Sequence, residues 1–492
     1  MKKYIICIVS LAALSLCLSS CKKDEVVYQK PTGLVVGVVD SAAYSPSEFA
    51  DAVIQNPFFS FDIASMMSGE GKTNIDNAQP VTGAESLVRL MINSRTPILD
   101  SIFKARVGTK RDGSRLWHIE TYTFTYNTVS MSGKPLTLSG RVTFPNNTIA
   151  GRGHELSTLT LFSHQYLTDP SWAPYYSLST MTLHTFYNSA VIEPDFLNAG
   201  YDQGKHRDAT LGFKSKARIL HDCVKAALEI MCQHGVTLAA DGYSTNWGHS
   251  AAAGTAIAYA RYYEMEATES ERQAIKLRST FAGEGPTNPI YAIKYGAENP
   301  DFATPWYQYY DSFSAIEEEM MHGYKLSDFV PDWMNNTIVE YEGGTMTFLE
   351  ARMSRKVDRK ILSQYYPENY SRYDIKMNFA SDMLDSEGHF DMSNPKTVAF
   401  FEILGQQTNM DDYVPTTDIY LAHAKNDNKM PYAPARKLYE DFKAKSPTKL
   451  HWLEVPAVEF PSNVHDMLSA EAMFYMAIVR EPKDMARFYA AE

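Results

Sequence analysis

The chain has 492 residues, 45% hydrophobic and 21% charged, a balance that belongs to a folded globular protein and excludes a disordered one. That length suffices for one large domain with insertions or for two, and it can bury a sizeable core without staples. The formal net charge is −12 and no long basic run offers a local exception, which argues against a nucleic-acid partner.

The chain begins Met1-Lys2-Lys3, followed by an apolar run from Tyr4 to Leu18 and then Ser19-Ser20-Cys21. A basic start, a short apolar middle and small residues at the cut spell a secretory signal over residues 1–20, and the run is too short for a comfortable membrane span. Leu18-Ser19-Ser20-Cys21 resembles the lipobox of bacterial lipoproteins, in which the cysteine becomes the lipidated first residue. The resemblance implies a lipid anchor at Cys21 and a place in the bacterial cell envelope. Lys22-Lys23-Asp24-Glu25 loosely resembles the charged export signals of surface lipoproteins. Of the five cysteines, Cys7 and Cys17 leave with the signal and Cys21 would carry lipid. Cys223 and Cys232 remain, on one helix at a spacing that sets them on opposite faces, so no disulfide framework is expected and no zinc-type Cys/His spacing occurs.

Residues 21–45 read as a tether and residues 46–115 as an amphipathic helical segment. Strands start at Leu116: His118–Tyr126 and Leu136–Pro145 alternate, with a turn at Ser132-Gly133-Lys134-Pro135 between them. An apolar strand Leu156–Ser163 runs into His164-Gln165-Tyr166, and Ala190–Glu193 is the next strand. An amphipathic helix spans Ser215–Cys232. The segment Gly242–Gly248 then leads through His249 to Ser250 and a helix running to about Tyr263. After the strand Ser279–Gly283, residues 286–415 change to helices and loops rich in aromatics and methionine. Strand character resumes at Asp418–His423, and a helix over Ala433–Phe442 precedes the strand Leu450–Val455. A last helix starts near Met467. From Ala190 the order strand, helix, strand, helix, strand implies a parallel sheet covered on both faces.

Gly248-His249-Ser250-Ala251-Ala252 is the stretch with chemistry in it. A serine on a tight strand-to-helix turn exposes its hydroxyl, small neighbours let the backbone close, and the following helix aims its free N–H groups at the same spot. A serine hydroxyl needs a base, and the base needs an orienting acid. Sites in open α/β sheets form on loops at the carboxyl ends of strands, so the partners are sought past later strands. Asp427, in Asn426-Asp427-Asn428, is the acid candidate, with Glu284 as competitor. His465, past the last strand, is the base candidate. His249, adjacent to the serine, cannot easily fold back onto its neighbour's hydroxyl and reads as a packed histidine.

This ordered set resembles the α/β-hydrolase superfamily, in its esterase and lipase branch, from about Leu116 to the C-terminus. The likeness rests on the paired first strands, Val191-Ile192-Glu193-Pro194-Asp195, the Ser250 turn, and the order Ser250, Asp427, His465. Ala252 stands in place of the usual glycine, and Gln165 where many members have glycine after His164. The resemblance implies an α/β-hydrolase fold: a mostly parallel central sheet, helices on both faces, and a helical lid or cap insertion. The core would be residues 116–285 and 416–492, the lid 286–415, and 46–115 an N-terminal helical cap. It implies ester hydrolysis through a Ser-His-Asp triad and an acyl-enzyme, with no metal and no organic cofactor, on a small-molecule ester or acylated substrate. Ala251 and either Gln165 or Tyr166 would supply the oxyanion donors. Glu284 and Trp306 are substrate-binding candidates, Glu284 as a receptor for a substrate ammonium. A serine peptidase of aminopeptidase type and a non-catalytic binding lipoprotein are the competing readings.

Overall fold

The computed structural model describes residues 34–56, 84–110, 112–131, 133–149, 152–164, 172–299, 313, 323–354, 356–371, 374–425, 427 and 430–455. Strand β1 (Val35–Tyr44) comes first and pairs antiparallel with β2 (Trp117–Val129). The expected tether, 21–45, therefore holds a sheet strand over Val35–Tyr44. Val35-Val36-Gly37-Val38-Val39 is rich in β-branched residues, which suit a pleated edge, and β2 offers a free edge to hydrogen-bond. Between these strands, helices α1 (Pro46–Ile54) and α2 (Ala84–Val107) pack on one another. Helix α1 opens with a capping box, Ser45 and Glu48 each accepting from the other's backbone N–H.

Strands β3 (Pro135–Asn147), β4 (His154–Ser163) and β5 (Ser189–Pro194) follow, then helix α3 (Phe213–Gln233) and strand β6 (Val236–His249). Next come α4 (Ala253–Met265), α5 (Glu269–Ile275), β7 (Leu277–Gly283) and α6 (Pro289–Glu298). The insertion continues with short helical turns and a two-stranded hairpin, β8 (Ile338–Tyr341) and β9 (Gly344–Thr347), before α7 (Pro395–Thr408). The hairpin, closed by the Glu342-Gly343 turn, adds two short strands to the insertion of helices and loops expected. Strand β10 (Asp418–Ala424), helix α8 (Tyr432–Lys445) and strand β11 (Leu450–Val455) complete the described chain.

Among the described residues the sheet has nine strands in the order β1-β2-β3-β5-β4-β6-β7-β10-β11. The first four are joined antiparallel and the rest run parallel, the mixed pattern expected from two leading antiparallel strands. One face is apolar: Phe124, Val142, Ile192 and Leu161 lie under α3 and α4 in the main core. The opposite face at β2, β3 and β5 is polar yet buried, carrying Thr123, Ser139, Arg141 and Glu193. A 3₁₀ helix over Thr180–Tyr187 packs on β3 and β5 from that side, and α2 packs on it in turn. The insertion docks on the core through α7 against α3 and α6 against α8, and Ser215 donates its backbone N–H to Gln407 Oε1 at 3.0 Å. Cys223 and Cys232 both lie on α3, and neither forms a disulfide. Among the described residues no helix is long and apolar enough to cross a membrane. The signal segment 1–20, Cys21 and the last helix lie outside the described residues.

Candidate active site

Strands β6, β7 and β10 are consecutive parallel neighbours, so their carboxyl ends at His249, Gly283 and Ala424 lie side by side. The residue after β6 is Ser250, with φ 53°, a left-handed backbone that serine adopts at a cost. One 3₁₀ turn, Ser250–Ala252, then feeds α4, whose N-terminal N–H groups and dipole face the turn. Gly248 is required here: a Cβ on it would lie 2.2 Å from the Ala252 carbonyl oxygen. Ala252 in turn shows that a methyl is accommodated where a glycine was expected. Ala251, whose N–H is the first oxyanion donor expected, sits in the same turn, buried.

The residue after β7 is Glu284, also left-handed, with φ 47°. It is buried, and its side chain turns toward β10: Oε1 accepts the N–H of Ala424 at 3.1 Å. Its own N–H donates to the Ala422 carbonyl at 2.9 Å, carrying the β7–β10 ladder one step past the strand. On the other side His249 Nε2 stands 3.6 Å from Glu284 Oε2. Gly285 then presses on the Ser250 turn so closely that a Cβ there would lie 2.0 Å from the Ser250 carbonyl oxygen.

Past β10 the chain turns at once: Asp427 donates its N–H to the Ala424 carbonyl at 3.3 Å, and Asp427 Oδ1 accepts the N–H of Met430 at 3.0 Å. That bond is the turn-forming role open to any aspartate in such a sequence, and it fixes the buried carboxylate at the sheet edge. Glu284, His423 and Asp427 each present a ligand atom, all within 4.8 Å of one another, and these are the described residues whose chemistry could suit a metal ion.

The structure thus gathers Ser250, Ala251, Glu284 and Asp427 at the ends of three adjacent strands. His465, Gln165, Tyr166 and Trp306 lie outside the described residues. His249 is buried and faces Glu284, as a packed histidine would. Sequence reasoning missed the tie between Glu284 and β10. The signal was present as Gly283-Glu284-Gly285, a charged residue between two glycines directly after a strand.

A second polar group lies two strands away, at the carboxyl end of β5. Arg141 on β3 stands opposite Glu193 in the register and donates to Thr123 Oγ1 through Nε at 3.0 Å and Nη2 at 2.8 Å. Ser179 donates to Glu193, and Ser139 donates to Asp195 Oδ2 at 2.6 Å. Burial pushes both carboxyls up, Glu193 to about 7 and Asp195 to about 7, against the opposing pull of these hydroxyls and of Arg141.

A Legionella pneumophila protein provisionally assigned as a hydrolase superposes with a TM-score of 0.58 at 14% identity, over 92% of this chain and 97% of its own. The rice cell wall degrading esterase LipA from Xanthomonas oryzae gives 0.52 at 15% identity, over 77% of this chain and 94% of its own. No protein-family model and no curated protein matches the sequence, so the likeness is one of structure. The mixed sheet, the left-handed serine between β6 and α4, and these neighbours lead to one conclusion: the chain has the α/β-hydrolase fold.

Proposed function

We propose that the chain is a serine hydrolase of carboxylic esters, held in the bacterial cell envelope by a lipid on Cys21. The observation that carries the reading is the φ of 53° at Ser250, a strained position at the tip between β6 and α4. Backbone strain of this kind persists where the surroundings enforce it and clusters at functional sites. The structural neighbour that is an esterase supports the ester as the bond cleaved.

In this mechanism Ser250 Oγ attacks the ester carbonyl carbon while His465 removes its proton. Asp427, buried past β10, orients the imidazole and stabilises its charged form. The N–H of Ala251, with that of Gln165 or Tyr166, receives the oxyanion. His465 returns the proton to the departing alkoxide, and the acyl group stays on Ser250. Water, deprotonated by His465, then attacks the acyl carbon, and His465 returns that proton to Ser250 Oγ as the acyl–oxygen bond breaks and the carboxylic acid leaves.

The test is labelling with a fluorophosphonate together with hydrolysis of p-nitrophenyl butyrate. Wild type takes up the label, and Ser250→Ala takes up none and loses on the order of 10⁴-fold or more in kcat. Folded wild type that neither labels nor hydrolyses any of a panel of esters and aminoacyl amides would turn the reading to a binding lipoprotein, and turnover of amides alone would turn it to a peptidase.

A further inference from the structure

We infer that Glu284 is a positioning residue that ties the nucleophile turn to the acid loop, and that its reach, not its charge, is what the reaction uses. The inference rests on the reading of Ser250 and Asp427 given above. Three contacts carry it. The Glu284 carboxylate accepts the N–H of Ala424, the last residue of β10. Ala424 is also where the acid loop is anchored, since its carbonyl accepts the Asp427 N–H. The next residue, Gly285, abuts the carbonyl of Ser250 itself. One residue therefore spans from the back of the nucleophile to the root of the acid.

The backbone supports the assignment independently. Glu284 holds φ 47° without being glycine, and its N–H is bound to Ala422. An extended residue would stand its side chain out from a face of the sheet, whereas the left-handed Glu284 reaches sideways to the N–H of Ala424. Burial leaves the carboxylate facing protein groups on both sides, His249 from β6 and His423 and Asp427 from β10 and its loop. A shift of the acid loop by about 1 Å suffices to cost on the order of 100-fold in rate, so a bond at its root is a control point.

Two substitutions separate reach from charge. Glu284→Gln removes the charge and keeps an amide oxygen for the Ala424 N–H. Glu284→Asp keeps the charge and withdraws the carboxylate by one methylene. Both are measured on p-nitrophenyl butyrate with the full chain, at temperatures where each variant is folded, with active sites counted by fluorophosphonate. Glu284→Gln is expected to keep kcat within about fivefold of wild type, and Glu284→Asp to lose on the order of 10–100-fold, with KM within about twofold in both. Equal loss in the two variants, wild-type kcat in Glu284→Asp, or a loss confined to KM would overturn the assignment. A KM effect would instead make Glu284 a contact for the substrate. Labelling of Ser250→Ala in the same assay would show that the hydrolase reading had failed first.

Discussion

Strands β5 and β6 stand two places apart in the sheet, with β4 between them, and each carries polar groups at or past its carboxyl end. At β6 the group is an uncharged hydroxyl, brought to the edge by bending the main chain into a left-handed turn at Ser250. At β5 Glu193 and Asp195 are ionisable and fully buried in side-chain hydrogen bonds. The first arrangement concentrates its cost in one backbone torsion, about 1–3 kcal/mol, and that cost does not change with pH. The second places its cost in desolvation, offset by Arg141, Ser139 and Ser179, and that cost does change with pH. A turn held by torsion keeps its geometry across pH, whereas one held by buried ionisable groups changes with it.

The comparison breaks most sharply at Arg141. Burial pulls its guanidinium below the usual range, and the neighbouring Glu193 and Asp195 hold it up. Arg141→Met would leave two buried carboxyls without their cation, and the expected loss of stability is about 3–5 kcal/mol. The loss is read by urea denaturation at pH 8 and should shrink at pH 5, where both carboxyls can stay protonated. A loss below about 1 kcal/mol at both pH values would mean that the guanidinium is a spacer filling volume, not a counter-ion.

A milder change sharpens the same point. Both carboxyls have folded-state values raised above the unfolded ones, so the protonated form favours the native state. Their contribution is fully present below the unfolded value, near 4, and is lost as pH rises through about 7. For Glu193 alone the change is on the order of 3 kcal/mol. Glu193→Gln retains an acceptor for the Ser179 hydroxyl and cannot titrate, so stability should vary less between pH 4 and pH 8 than in wild type. His154 works the opposite way, since burial lowers it to about 4 and favours the native state as pH rises. The readout is therefore the difference between the variant and wild type at each pH, in which His154 cancels. Parallel curves would place the titration elsewhere.

The two regions were unequally legible in the sequence. Gly248, Ser250 and the alanines after it mark a tight strand-to-helix turn, because small residues and a helix start leave few alternatives. Asp427 was legible as a loop residue past a strand. The polar face was not, because Thr121, Thr123 and Thr125 alternate with apolar residues as they would on a strand with one solvated face. Alternation reports that a strand has two faces; it does not report that a 3₁₀ helix and α2 cover the polar one. Strand β1 was hidden for a related reason. Several of its valines are exposed, so its pattern carries no buried stripe, and its place in the sheet depends on the free edge of β2. Glu284 escaped because its role depends on its contacts to Ala422 and Ala424 and on Gly285 against Ser250, partners far away in sequence.

The smallest expected effect tests the torsion itself. Ser250→Ala and Ser250→Gly both remove the hydroxyl, so neither should hydrolyse esters, and their comparison reports on the backbone alone. Alanine must keep its Cβ at φ 53°, where it crowds the carbonyl, while glycine occupies that region freely. Glycine has the greater entropy in the unfolded chain, which offsets part of the gain. The balance is expected to leave Ser250→Gly more stable than Ser250→Ala by about 1 kcal/mol in urea denaturation. If alanine proved equal or better, the turn would have relaxed out of the left-handed region once the hydroxyl was gone. The strain would then be held by the bonds of Ser250 Oγ, and the packing of Gly248 and Gly285 around the turn would not be what enforces it.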